Sequence, residues 1–103
     1  MKEIERLADR MDEELEGLEE YVEEALEIKE KNPSLANTFF VIAGDEKKHY
    51  NMLHMEVQRM IAEHREKHGD PPPAMAALYD FVHRKQIQRM AKIEAMMNMF
   101  AGK

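Results

Sequence analysis

Apolar side chains recur at helical spacing over three stretches of the chain. Ile4, Leu7, Ala8, Met11, Leu15, Leu18, Val22, Ala25 and Lys29 share one stripe, which predicts a first helix over about residues 2–31. The opposite side of that helix is rich in Glu and reads as solvated. Asn32-Pro33-Ser34 breaks the pattern. Asn32 is suited to cap a second helix, with Pro33 at its first position. That helix is predicted over about 33–68, with Gly69 just beyond its end. Leu35, Phe39, Ile42, Leu53, Val57 and Met60 share one of its faces at about 100° per residue. Asp70-Pro71-Pro72-Pro73 stops it. A third helix is predicted over about 74–100, with Met75, Leu78, Tyr79, Val82, Met90, Ile93, Met97 and Phe100 as its stripe.

The fold expected is all-α, with 1–103 as a single helical domain. The break at Asn32 is short, so the first two helices should form an antiparallel hairpin with an apolar seam about 40 Å long. One further helix does not cover such a seam. The economical solution is two-fold pairing of hairpins into a four-helix bundle, the third helix packing alongside or clasping the partner. A homo-oligomer, at least a dimer, is therefore expected.

Composition narrows the function. The 103 residues include 21 acidic and 15 basic side chains, for a net charge of −6, and the acids crowd the first helix. That balance argues against nucleic acid as a partner and mildly favours cations. With no Cys there is neither a disulfide framework nor a thiolate metal site, which is compatible with a cytoplasmic protein. No apolar run approaches the roughly 20 residues that span a bilayer, so no membrane association is expected.

One polar motif interrupts the apolar face of the second helix. Glu46 projects near the centre of the face that carries Leu35, Phe39 and Ile42, and His49 sits at its edge. As a bare pattern Glu-x-x-His is weak: with 16 Glu and 5 His in the chain, roughly one arises by chance. Its phase gives it weight, because a carboxylate among apolar groups is costly without a partner. Inward-facing Glu-x-x-His is how four-helix bundles hold di-iron carboxylate sites, together with a Glu from a neighbouring helix. Glu14, Glu16, Glu19 and Glu20 stand at a comparable distance from the turn. Glu14 alone lies on the flank of the apolar stripe, between Met11 and Leu18. Two chains would then offer two Glu14, two Glu46 and two His49. Each residue also has an ordinary reading: a rim carboxylate for Glu46, a half-buried imidazole for His49, a solvated charge for Glu14.

Other residues carry less. Tyr21 and Tyr50 suit either core packing or a hydrogen bond to a ligating carboxylate. Glu56 is a reserve ligand. Asp80-x-x-His83 has ligand spacing, but Asp80 faces away from its stripe. His54, His64 and His68 lack a carboxylate three residues before them. Met96, Met97 and Met99 read as packing rather than as a copper site.

Glu13-Glu14-Leu15-Glu16, Tyr21, Leu35 and Glu46-Lys47-Lys48-His49 together resemble the encapsulated-ferritin type of the ferritin-like superfamily. Ala25-Leu26-Glu27-Ile28-Lys29, Leu35-Ala36-Asn37-Thr38-Phe39, His49-Tyr50-Asn51-Met52-Leu53-His54, Gly69-Asp70-Pro71-Pro72 and Leu78-Tyr79-Asp80-Phe81-Val82-His83 resemble short clostridial and phage-associated ferritin-like proteins. The resemblance implies a half-ferritin, whose hairpin dimerises to form a ferroxidase centre between chains. It carries over Glu14, Glu46 and His49 as ligands of two Fe ions, with Zn²⁺, Mn²⁺ or Ca²⁺ as substitutes. Encapsulated members end in a short apolar peptide that docks into an encapsulating shell; Phe100-Ala101-Gly102-Lys103 is no clear counterpart. The third helix is also longer than in that family. Two functions follow as expectations: oxidation of Fe²⁺ to Fe³⁺ at a site between two chains, or a non-catalytic helical scaffold with Zn²⁺, Mn²⁺ or no metal.

Overall fold

A computed structural model describes residues 2–103 and is all-helical among them: α1 spans Lys2–Ile28, α2 Pro33–His68 and α3 Pro73–Ala101. The helix limits follow local chemistry. The Asn32 side chain accepts the Leu35 N–H at 3.2 Å, and Pro33 occupies the first turn, where its missing N–H costs nothing. Gly69 ends α2 at φ 77° and Gly102 ends α3 at φ 78°, backbone conformations that suit glycine. Helix α1 stops three residues short of the expected limit. The chain turns at Lys29, and the Asn32 N–H returns to the Ile28 carbonyl at 2.8 Å.

Side-chain pairs fix how the helices run. Tyr21 meets Phe39 and Glu14 meets His49, so α2 returns along α1. Gln86 bonds Asp12, Arg89 and Lys92 reach Glu19, and Lys29 Nζ donates to the Phe100 carbonyl, so α3 lies parallel to α1. Phe40 stacks on Phe100 and Lys47 pairs with Glu94 across α2 and α3. The result is a three-helix bundle 55 × 20 × 18 Å, as long as α2 itself at about 1.5 Å per residue.

The core belongs mainly to α1. Met11, Leu15, Leu18, Val22 and Ala25 are buried as the stripe predicts, and Ile93 joins them from α3. Helix α2 departs from expectation. Its buried line is Ala36, Ala43 and Tyr50, at heptad spacing. Small residues there let α1 approach closely, and Ala43 joins the cluster of Met11, Leu15, Leu18 and Val22. The larger face of Leu35, Phe39, Ile42, Leu53, Val57 and Met60 is only partly covered, and Leu35 is 41% exposed. A half-open apolar face therefore runs along α2, and Leu53 and Val57 at its far end pack against the core. On α3, Leu78 is exposed instead of buried, and Gln86 is buried through its bonds to the Ala8 carbonyl and Asp12. None of the helices among the described residues is long and apolar enough to cross a membrane.

Candidate metal centre

The half-open face carries the polar cluster. Glu14 comes from the middle of α1, one turn after Met11, and Glu46 and His49 stand one turn apart on α2. Each offers a ligand atom within 4.8 Å of the others. His49 Nδ1 is 3.5 Å from Glu14 Oε2. Gly17, one turn beyond Glu14, lies beside Glu46: a β-carbon there would stand 3.6 Å from Glu46 Oε2, an ordinary contact. Glu14 and Glu46 are half-buried, whereas the His49 side chain is 54% exposed, further from the core than its phase suggests.

The cluster is electrostatically unbalanced. The Glu46 carboxyl is held above the usual carboxylate value of 4.5, first by the proton it shares with Glu14. Burial and the Glu14 charge push the same way, and His49 offsets only part of this. Glu14 Oε2 is buried and has no hydrogen-bond partner, because the His49 contact has the length of an ion pair without hydrogen-bond alignment. Two carboxylates and an imidazole around an oxygen that lacks a donor suit a divalent cation that takes hard and borderline ligands.

The other sequence candidates separate from this cluster. Glu16 and Glu20 are exposed, and Glu19 is covered by α3, where it pairs with Arg89 and Lys92 at 3.4 Å. Glu56 is bound to Arg59 on the surface. Tyr21 packs on Phe39. Tyr50 is buried in the core and stacks toward His54, and burial raises its hydroxyl above the ordinary value. Asp80 is exposed and pairs with Arg84. His54 stacks on His83 across α2 and α3 at 5.2 Å.

Comparison with protein-family models, curated proteins and solved structures finds no match.

Proposed function

We propose that the chain is a ferritin-like, di-iron ferroxidase in which two copies pair across their half-open α1/α2 faces. The observation that supports this reading is the convergence of Glu14, Glu46 and His49 beside the partly covered α2 residues Leu35, Phe39 and Ile42. A pair of chains doubles the set to four carboxylates and two imidazoles, which matches the donor inventory of di-iron carboxylate bundles. The same pairing would cover Leu35, Ile42 and Leu53.

Fe²⁺ is the substrate in this reading, and each ion gives one electron to an oxidant. Glu46 and Glu14 would each offer carboxylate oxygens to the ions and His49 an imidazole nitrogen. Four carboxylates neutralise the charge of two Fe²⁺ ions, and a bound cation relieves the Glu14–Glu46 repulsion. His49 is exposed, which leaves the site reachable by hydrated ions before pairing is complete. The alternative is a helical scaffold with Zn²⁺, Mn²⁺ or no metal. Exposed Val41, Met52 and Met55, which lie elsewhere on α2, favour it as a surface for another partner.

Anaerobic Fe²⁺ titration of metal-free protein, then exposure to oxygen, separates the two. Saturation near one iron per chain, with rapid oxidation that Glu46→Ala abolishes, supports the ferroxidase. Equal behaviour of wild type and Glu46→Ala leaves the scaffold.

A further inference from the structure

Four of the five histidines gather at the end of the bundle remote from the α1–α2 turn. His54, His64, His68 and His83 line a cavity of about 760 Å³ between the first turns of α1, the end of α2 and the start of α3. Two pairs are close enough to consider as chelates. His54 and His83 lie 5.2 Å apart, centroid to centroid, with planes only 21° apart. Imidazole lone pairs lie in the ring plane, so two stacked rings direct them side by side and not at a common point. His64 and His68 differ. They stand one turn apart on the same face of α2, with centroids 4.7 Å apart and planes inclined by 44°. An ion about 2.0–2.1 Å from one nitrogen of each ring, at an ordinary N–metal–N angle, places the centroids about 4.5–5.2 Å apart. The observed separation falls within that span.

We propose that His64 and His68 form a second metal site, selective for the late first-row divalent ions Cu²⁺, Ni²⁺ and Zn²⁺. Two imidazoles without a carboxylate suit those ions better than Fe²⁺ or Mn²⁺. Helical His pairs at this spacing supply two of the ligands in zinc enzymes. The neighbouring cations do not repel an ion strongly: Lys67 is paired with Glu63 at 3.2 Å and Arg65 with Asp70 at 3.8 Å. His68 is exposed and His64 half-buried, so the ion keeps water in its remaining positions. The site is independent of Glu14, Glu46 and His49.

Cu²⁺ titration of the Glu46→Ala chain tests the assignment. One ion per chain binds, and its electron paramagnetic resonance shows coupling to two imidazole nitrogens. His64→Ala or His68→Ala, each added to that background, weakens this binding at least ten-fold and leaves one coupled nitrogen. The paired change Glu66→His/His68→Glu keeps the number of imidazoles, moves one to the opposite side of the helix, and has the same effect. Glu66 and His68 are exposed and His64 is half-buried, and far-UV circular dichroism checks that helicity is retained. Unchanged Cu²⁺ affinity in the His variants, or retention by the Glu66→His/His68→Glu chain, overturns the proposal. Iron binding in the wild-type background is unaffected by either single His variant, so the two metal readings stand or fall separately.

Discussion

His49 Nδ1 stands 3.5 Å from Glu14 Oε2 and spans the boundary between α1 and α2. Glu46, one turn before His49, brings a second carboxyl to the same place. Without a cation the arrangement costs stability, since two carboxylates share a half-buried space.

Glu46→Gln should therefore stabilise the metal-free protein. The sign follows from the raised Glu46 value: the folded chain holds this proton to higher pH than the unfolded chain does, so stability declines as pH rises through 4.5 and above. The variant's advantage is present near neutral pH and disappears in acid. Each kcal/mol gained raises Tm by about 4–8 °C in a chain of this size. Mn²⁺ added anaerobically should reverse the ranking, since only wild type binds it fully; at one hundred times Kd the linkage is worth about 2.7 kcal/mol. Thermal melts of both proteins with and without Mn²⁺ check this, and a Glu46→Gln chain less stable than wild type without metal contradicts it.

The opposite sign holds at His54. Burial, and then the nearby His83, lower its value below 6.5. The folded chain resists protonation more than the unfolded chain, so this contribution is present above 6.5 and is lost as pH falls below it. Asp12 and Asp80, with Glu5, Asp9 and Arg65, line the cavity around the pair but are not the source of the shift. His54→Phe keeps a ring against Tyr50 and His83 and should flatten the fall in Tm between about pH 7 and pH 5. An unaltered pH profile would show that the loss arises elsewhere.

Two truncations probe the bundle itself. Leu15 and Ile93 are fully buried, Leu15 at the centre of α1 and Ile93 where α3 meets it. Leu15→Ala should cost about 2–5 kcal/mol, a large part of the stability of a small domain. Ile93→Ala should cost a similar amount if α3 is integral to the core, measured by urea unfolding. A loss below about 0.5 kcal/mol at Ile93 would mean that α3 is not docked as described.

Much of this architecture was legible in the sequence, and the reasons are local. Asn32-Pro33 and Gly69 announce helix ends through capping chemistry that acts within a few residues. The α1 stripe is legible because one face meets everything. Helix α2 misled because large side chains mark apolarity, whereas Ala36 and Ala43 mark close approach. Its buried line is rotated from its apolar face, and the rotation depends on where α3 docks. Gln86 is buried by partners on α1 that its own neighbourhood does not reveal. Glu14, Glu46 and His49 were found because phase alone brings them to one side of the α1/α2 pair. The exposure of His49 was not legible, since it depends on what covers that side.

The uncovered face makes its own prediction. Ile42→Glu places a charge among Leu35, Phe39 and Glu46 while leaving the α1 core untouched. If two chains pair as proposed, wild type should sediment as a dimer, and the variant should stay helical, sediment as a monomer and lose paired iron binding. A wild type that remains monomeric at every concentration, with or without Fe²⁺, would remove the basis for a shared site.

In the proposed pair of chains two irons sit together, held by Glu14, Glu46 and His49 of each chain. Mössbauer spectroscopy of protein loaded anaerobically with one ⁵⁷Fe²⁺ per chain and then exposed to oxygen addresses it most directly. Magnetically coupled ferric pairs are expected in wild type and none in Glu46→Ala. Isolated, uncoupled ferric ions in wild type, or the same spectrum from the variant, would contradict it.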